Sequence, residues 1–160
     1  MKPFAPLTVR RPSEILGMIF SPEDFILENG YLTKGDALAI CGAAGVGKTR
    51  LSMQMVIAIL TGRDFLGWKT RAKGTRWLII QTENSNRRLQ NELSAMLSSL
   101  AVAQREAVDE GMLIHTLETA EDSFVSLKLP ENEARILDLI REFEPTGVVY
   151  DVLAISESAT

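Results

Sequence analysis

The eight residues Gly42-Ala43-Ala44-Gly45-Val46-Gly47-Lys48-Thr49 fit G-x-x-x-x-G-K-[ST] at each fixed position. A triphosphate presents crowded anionic oxygens, and glycines let a backbone curl so that successive N–H groups converge on them. A helix opening directly after such a loop adds its unpaired N-terminal N–H groups and the positive end of its dipole. Lys48 would reach the β- and γ-phosphates as a mobile point charge, and the Thr49 hydroxyl would ligate Mg²⁺. The expected nucleotide-binding set is therefore Gly42, Ala43, Ala44, Gly45, Val46, Gly47, Lys48 and Thr49, with Arg50 next in line.

Two carboxylates sit where such a site needs acids. Asp151 follows the apolar run Val148-Val149-Tyr150 and would hold Mg²⁺ from the side opposite Thr49. Glu83 closes Leu78-Ile79-Ile80-Gln81-Thr82-Glu83 and is placed to orient and deprotonate the water that attacks a γ-phosphate. The expected catalytic residues are Glu83 and Lys48, and the expected metal ligands Thr49 and Asp151. His115, at the end of a strand, reads as a satisfied edge or core residue, and Trp68 and Trp77 as packing.

The elements that must position these residues alternate along the chain. Ala37–Cys41 is a short apolar strand candidate ahead of the loop, and Thr49–Leu60 is helical, apolar almost all the way round and hence buried on most sides. Arg76–Gln81 is a continuous apolar run, which suits a strand covered on both faces. Leu89, Leu93, Met96, Leu97 and Leu100 recur at helical spacing within Ser85–Leu100. A second helical stretch lies near Ala103–Glu110, a strand at Met112–Thr116, a helix at Glu131–Phe143 stopped by Pro145 and Gly147, and a strand at Gly147–Asp151. Strands alternating with helices imply parallel pairing through right-handed crossovers, and so a three-layer α/β sandwich. In such a sheet the ligand lies beyond the carboxyl ends of the strands, where both acids fall.

Residues 1–30 carry four of the six prolines and little periodicity, which predicts an arm, with a short helix after Ser13 and a turn around Ser21–Asp24. Residues 31–160 form the expected core domain. With 160 residues and 46% hydrophobic composition, one domain can bury a real core. No apolar run is long enough to cross a bilayer and the N-terminus lacks a secretion signal, so a cytoplasmic location and no membrane partner are expected. Cys41, the single cysteine, is expected as a small buried residue. Net charge −4 and a pI near 5.1 do not support a nucleic-acid face on this portion.

With those residues in place, the chain resembles the RecA-like ATPases, most closely the RepA-type hexameric helicase and the AAA_25 group. The resemblance runs from Gly30–Gly35 through the phosphate loop, over Thr61–Gly67 and Trp77–Asn84 with Arg87, Arg88 and Leu89, to Val148–Asp151. It implies a RecA-like P-loop fold with a mostly parallel central sheet, ATP and Mg²⁺ as ligands, Glu83 as catalytic base and Asp151 as the Walker B acid. It further implies a homo-oligomeric ring acting in DNA replication or recombination, with DNA met by elements beyond this segment. Such a core normally continues past the Walker B strand with another strand and an arginine finger. The chain ends nine residues after Asp151 (160 against 151), so it is expected to be the N-terminal portion of a longer ATPase, truncated after that strand, or a reduced relative.

Two other readings share the same loop. A small-molecule P-loop kinase would need an Arg-rich lid, and residues 100–130 contain only Arg105. A non-hydrolysing regulatory module would bind nucleotide without turning it over.

Overall fold

A computed structural model describes residues 8–43, 45–71, 74–119, 122, 125, 127 and 129–151. The elements are α1 (Pro12–Leu16), β1 (Phe25–Leu27), β2 (Leu32–Thr33), α2 (Lys48–Thr61), β3 (Trp77–Gln81), α3 (Asn86–Leu97), α4 (Val102–Gly111), β4 (Met112–Ile114), α5 (Pro130–Phe143) and β5 (Gly147–Asp151). The main sheet runs in the order β4-β3-β5 and both pairings are parallel. The fold is α/β, as the alternation of periods predicts.

β3 sits at the centre and is buried at each of its five residues. Side chains alternate across a strand, so Trp77 and Ile79 face one layer and Leu78 and Ile80 the other. Trp77 and Ile79 join the larger core with α2, Leu89 of α3 and Val108 of α4; Leu78 and Ile80 pack with Ile136, Ile140 and Phe143 of α5. Burying each such aliphatic side chain contributes roughly 1.5–3 kcal/mol. A strand with helices on both sides needs apolar residues on both faces, which explains its unbroken run.

Local chemistry sets the helix ends. The Ser85 hydroxyl accepts from Arg88 N at 3.4 Å and starts α3, matching the position expected from sequence. The Gln104 side chain reaches back to Ala101 N at 3.2 Å and fixes the entry of α4. α5 carries Pro130 in its first turn with Glu131 and Glu133, and Arg141 in its last. Its stop is Glu144, in the left-handed conformation at φ 48°, one residue ahead of the Pro145 expected to end it.

Three features differ from the sequence expectation. Ala37–Cys41 is not a strand: it is irregular, and its backbone makes no hydrogen bond among the described residues. A cleft of 340 Å³ separates it from β5, with Ala37, Leu38 and Ile40 on one wall and Val148 and Tyr150 on the other. An apolar run has strand propensity, but a ladder needs a neighbour, and the outer edge of β5 lies across that cleft. For the same reason Cys41, expected to be buried, is exposed.

Finally, Phe25–Leu27, which falls in the segment expected as an arm, pairs antiparallel with Leu32–Thr33, and Ile26 and Leu27 enter the core. Three residues of strand give too short a pattern to be told from a loop. Residues 8–23 are exposed, including the short helix α1 and the Ser21-capped turn at Pro22–Asp24. Among the described residues no helix is long and apolar enough to cross a membrane.

Candidate functional site

The carboxyl ends of β3 and β5 and the N-terminus of α2 meet at one end of the sheet. Gly45 and Gly47 lie at φ 77° and 92° with nothing within 4 Å of an added Cβ, so left-handed backbone, rather than crowding, asks for glycine there. The curl delivers Lys48 as the first residue of α2. Its ammonium folds back over the loop and donates to the carbonyl oxygens of Gly42 at 3.1 Å and Ala43 at 2.9 Å. Val46 and Arg50 are exposed on the rim, and Ala44 lies outside the described residues.

At the second residue of α2, the Thr49 hydroxyl donates directly to Asp151 Oδ2 across 102 residues of sequence. The Thr49 carbonyl accepts from Ser52 Oγ at 2.8 Å, which seats this turn of α2. The register of the sheet places Asp151 opposite Gln81, so Glu83, two residues further on, lies at the same end. Glu83 is exposed, and its carboxylate has no hydrogen bond or ion pair among the described residues. Thr49 and Asp151 are thus in contact, Lys48 lines the loop beside them, and Glu83 stands on the next strand end.

These groups suit a magnesium nucleotide. Mg²⁺ keeps several waters and takes one or two protein oxygens together with phosphate oxygens, so a hydroxyl and one carboxylate suffice. The neighbouring cleft is lined by apolar residues such as Ile26, Leu38 and Val149 together with the polar Thr33, Asp36, Lys48 and Asp151.

The model of the AAA_25 family, an AAA domain, matches residues 12–155. The chain belongs to the AAA_25 family. No curated protein matches it. As a P-loop domain of the AAA_25 group, it is of the nucleotide-binding ATPase type, and the match spans both the loop and Asp151.

Behind Glu83 in this AAA_25 domain lies a polar cluster. His115 N donates to Ile79 O at 2.8 Å, continuing the β4 ladder, and the His115 ring contacts Gln81 O through Nδ1 at 2.7 Å. A carbonyl only accepts, so Nδ1 carries the proton and Nε2 faces Asp122 Oδ1 at 3.9 Å. Asp122 accepts from Thr119 N, Thr119 Oγ1 and Glu118 N, and the Thr119 contacts foremost hold its carboxyl below the ordinary carboxylate range. His115 is tethered at the strand end through Nδ1, but its buried Nε2 has no hydrogen-bond partner among the described residues, so the satisfied residue expected from sequence is only half realised.

Trp77 is buried and Trp68 stacks on Tyr31 at 4.5 Å, both in packing roles. What sequence reasoning missed is Gln81, a polar side chain closing an otherwise apolar, fully buried strand.

Proposed function

We propose that this chain is the nucleotide half of a RecA-like motor, which couples ATP hydrolysis to work on DNA as a cytoplasmic ring of identical subunits. The observation that carries the reading is the contact between Thr49 and Asp151, with Glu83 on the adjacent strand end. Loop amides and Lys48 take the phosphates, the ammonium exchanging its two loop carbonyls for phosphate oxygens. Thr49 and Asp151 would hold Mg²⁺, which when bound would neutralise charge on the phosphate oxygens. Glu83 accepts a proton from the attacking water as the bond from the γ-phosphorus to the β–γ bridging oxygen breaks, giving ADP and phosphate. Its carboxylate, without a hydrogen bond or ion pair among the described residues, is available to that water.

The ring assignment draws support from the exposed segment 8–23, which presents Val9, Leu16, Ile19 and Phe20 to solvent. ATP turnover measured with and without single-stranded DNA, on the unchanged protein and on Glu83→Gln, tests the reading. DNA-stimulated turnover that falls at least tenfold in E83Q is expected. Turnover indifferent to both DNA and E83Q would overturn it.

A further inference from the structure

The Gln81 side chain is 1% exposed and uses its amide fully. Its Oε1 accepts from Asn84 N at 2.7 Å and Glu83 N at 3.2 Å, while its Nε2 donates to His115 O at 2.9 Å and Asn84 O at 3.2 Å. A primary amide has two donors and an oxygen with two lone pairs, so these four bonds saturate it. Three of the four close the turn at residues 82–84, and the fourth ties that turn to the end of β4. On the opposite side the Gln81 backbone is in register with Asp151.

We infer that Gln81 is a positioning residue for Glu83, fixing the backbone that carries the carboxylate relative to Asp151 and Thr49. The inference rests on the reading of Glu83 as the base. The Glu83 carboxylate has no partner among the described residues, so its place is set by its own backbone, and that backbone is held by the Gln81 amide. The His115 ring strengthens the frame from behind by donating to the Gln81 carbonyl. Such a frame acts through geometry: a general base held about 1 Å from its productive place loses rate steeply while ground-state binding is kept.

The test compares Gln81→Met, which keeps the volume and removes all four bonds, with Gln81→Asn, one methylene short of the turn and the working variant where Q81M does not fold. Amide hydrogen exchange, Kd for Mg-ATP and kcat are measured for each, alone and combined with Glu83→Gln. Exchange at Glu83 and Asn84 is expected to accelerate at least tenfold while Leu78–Ile80 stay protected. Kd is expected to stay within twofold and kcat to fall at least tenfold. On an E83Q background the second change is expected to cost less than twofold further. Unchanged exchange at Glu83 and Asn84, or a kcat loss that multiplies with that of E83Q, would overturn the inference. If E83Q turns over normally while both amides are released, the clamp stands and the assignment of Glu83 as base is what fails.

Discussion

Replacing Thr49 by Val keeps the shape of the first turn of α2 and removes the hydroxyl that meets Asp151. A contact to a charged group contributes roughly 1.5–3 kcal/mol, so Mg-ATP affinity should fall about 10- to 100-fold in T49V. Affinity for ATP without Mg²⁺ should hardly move, since the loop amides and Lys48 are untouched. Titration calorimetry with and without the metal checks both halves. Asp122 gives a pH prediction of definite sign. Its folded carboxyl lies below the ordinary value of 3.8, mainly through Thr119. The associated stability is therefore fully present above that value and is lost as pH falls through the depressed one. Melting temperatures of the unchanged protein and Asp122→Ala should differ at pH 6 and converge as pH drops well below 3.8.

At this scale the sequence was informative wherever fixed spacing encodes chemistry, as in Gly42–Thr49 with Asp151 downstream. Gln81 stayed hidden because its role depends on backbone groups two and three residues ahead and on a carbonyl of β4. None of these leaves a trace in residue type.

Among the elements, β5 is held to β3 at a place where no side chain fits. A Cβ on Gly147 would lie 2.5 Å from the Trp77 ring, which is itself buried against the core. Gly147→Ala should cost about 1–3 kcal/mol through forced repacking, read as a lowered midpoint in denaturant unfolding. Because β5 delivers Asp151, the same change should weaken Mg-ATP binding.

Cys41 reports on the segment whose Ala37, Leu38 and Ile40 line the cleft. Exposed in an unpaired segment, it should react with a thiol reagent in the folded protein at a rate close to that in denaturant. Protection of ten-fold or more would mean that the segment is covered.

The helices α3 and α5 were legible because 3.6-residue periodicity persists over more than ten residues, and α2 because its apolar run has no breaker; the ends of α2 to α5 shifted by at most three positions. β1 and β2 were not, since three and two residues carry no period. Ala37–Cys41 shows the converse. Its composition suits a strand, but pairing is a property of two segments, and no sequence pattern in one of them shows whether a neighbour is present.

Across the whole molecule, stability resides in the part of the chain from Phe25 to β5. No residue between 8 and 23 is buried, so deletion of residues 8–21 should shift the melting temperature by no more than about 2 °C, the scale of a surface change. If the ring assignment holds, the same deletion should weaken self-association in sedimentation velocity. The three-layer arrangement was readable from the alternation of strand and helix patterns, because each layer imposes its own period on the sequence. Assembly was not, since it depends on surfaces that meet only between copies.

The most direct test is calorimetric titration of the unchanged protein and of Lys48→Ala with ATP and Mg²⁺. The geometry of Gly42–Thr49 against Asp151 predicts a single saturable binding event in the unchanged protein, weakened at least tenfold in K48A. Absence of any binding heat, or equal affinity in the two proteins, would contradict it.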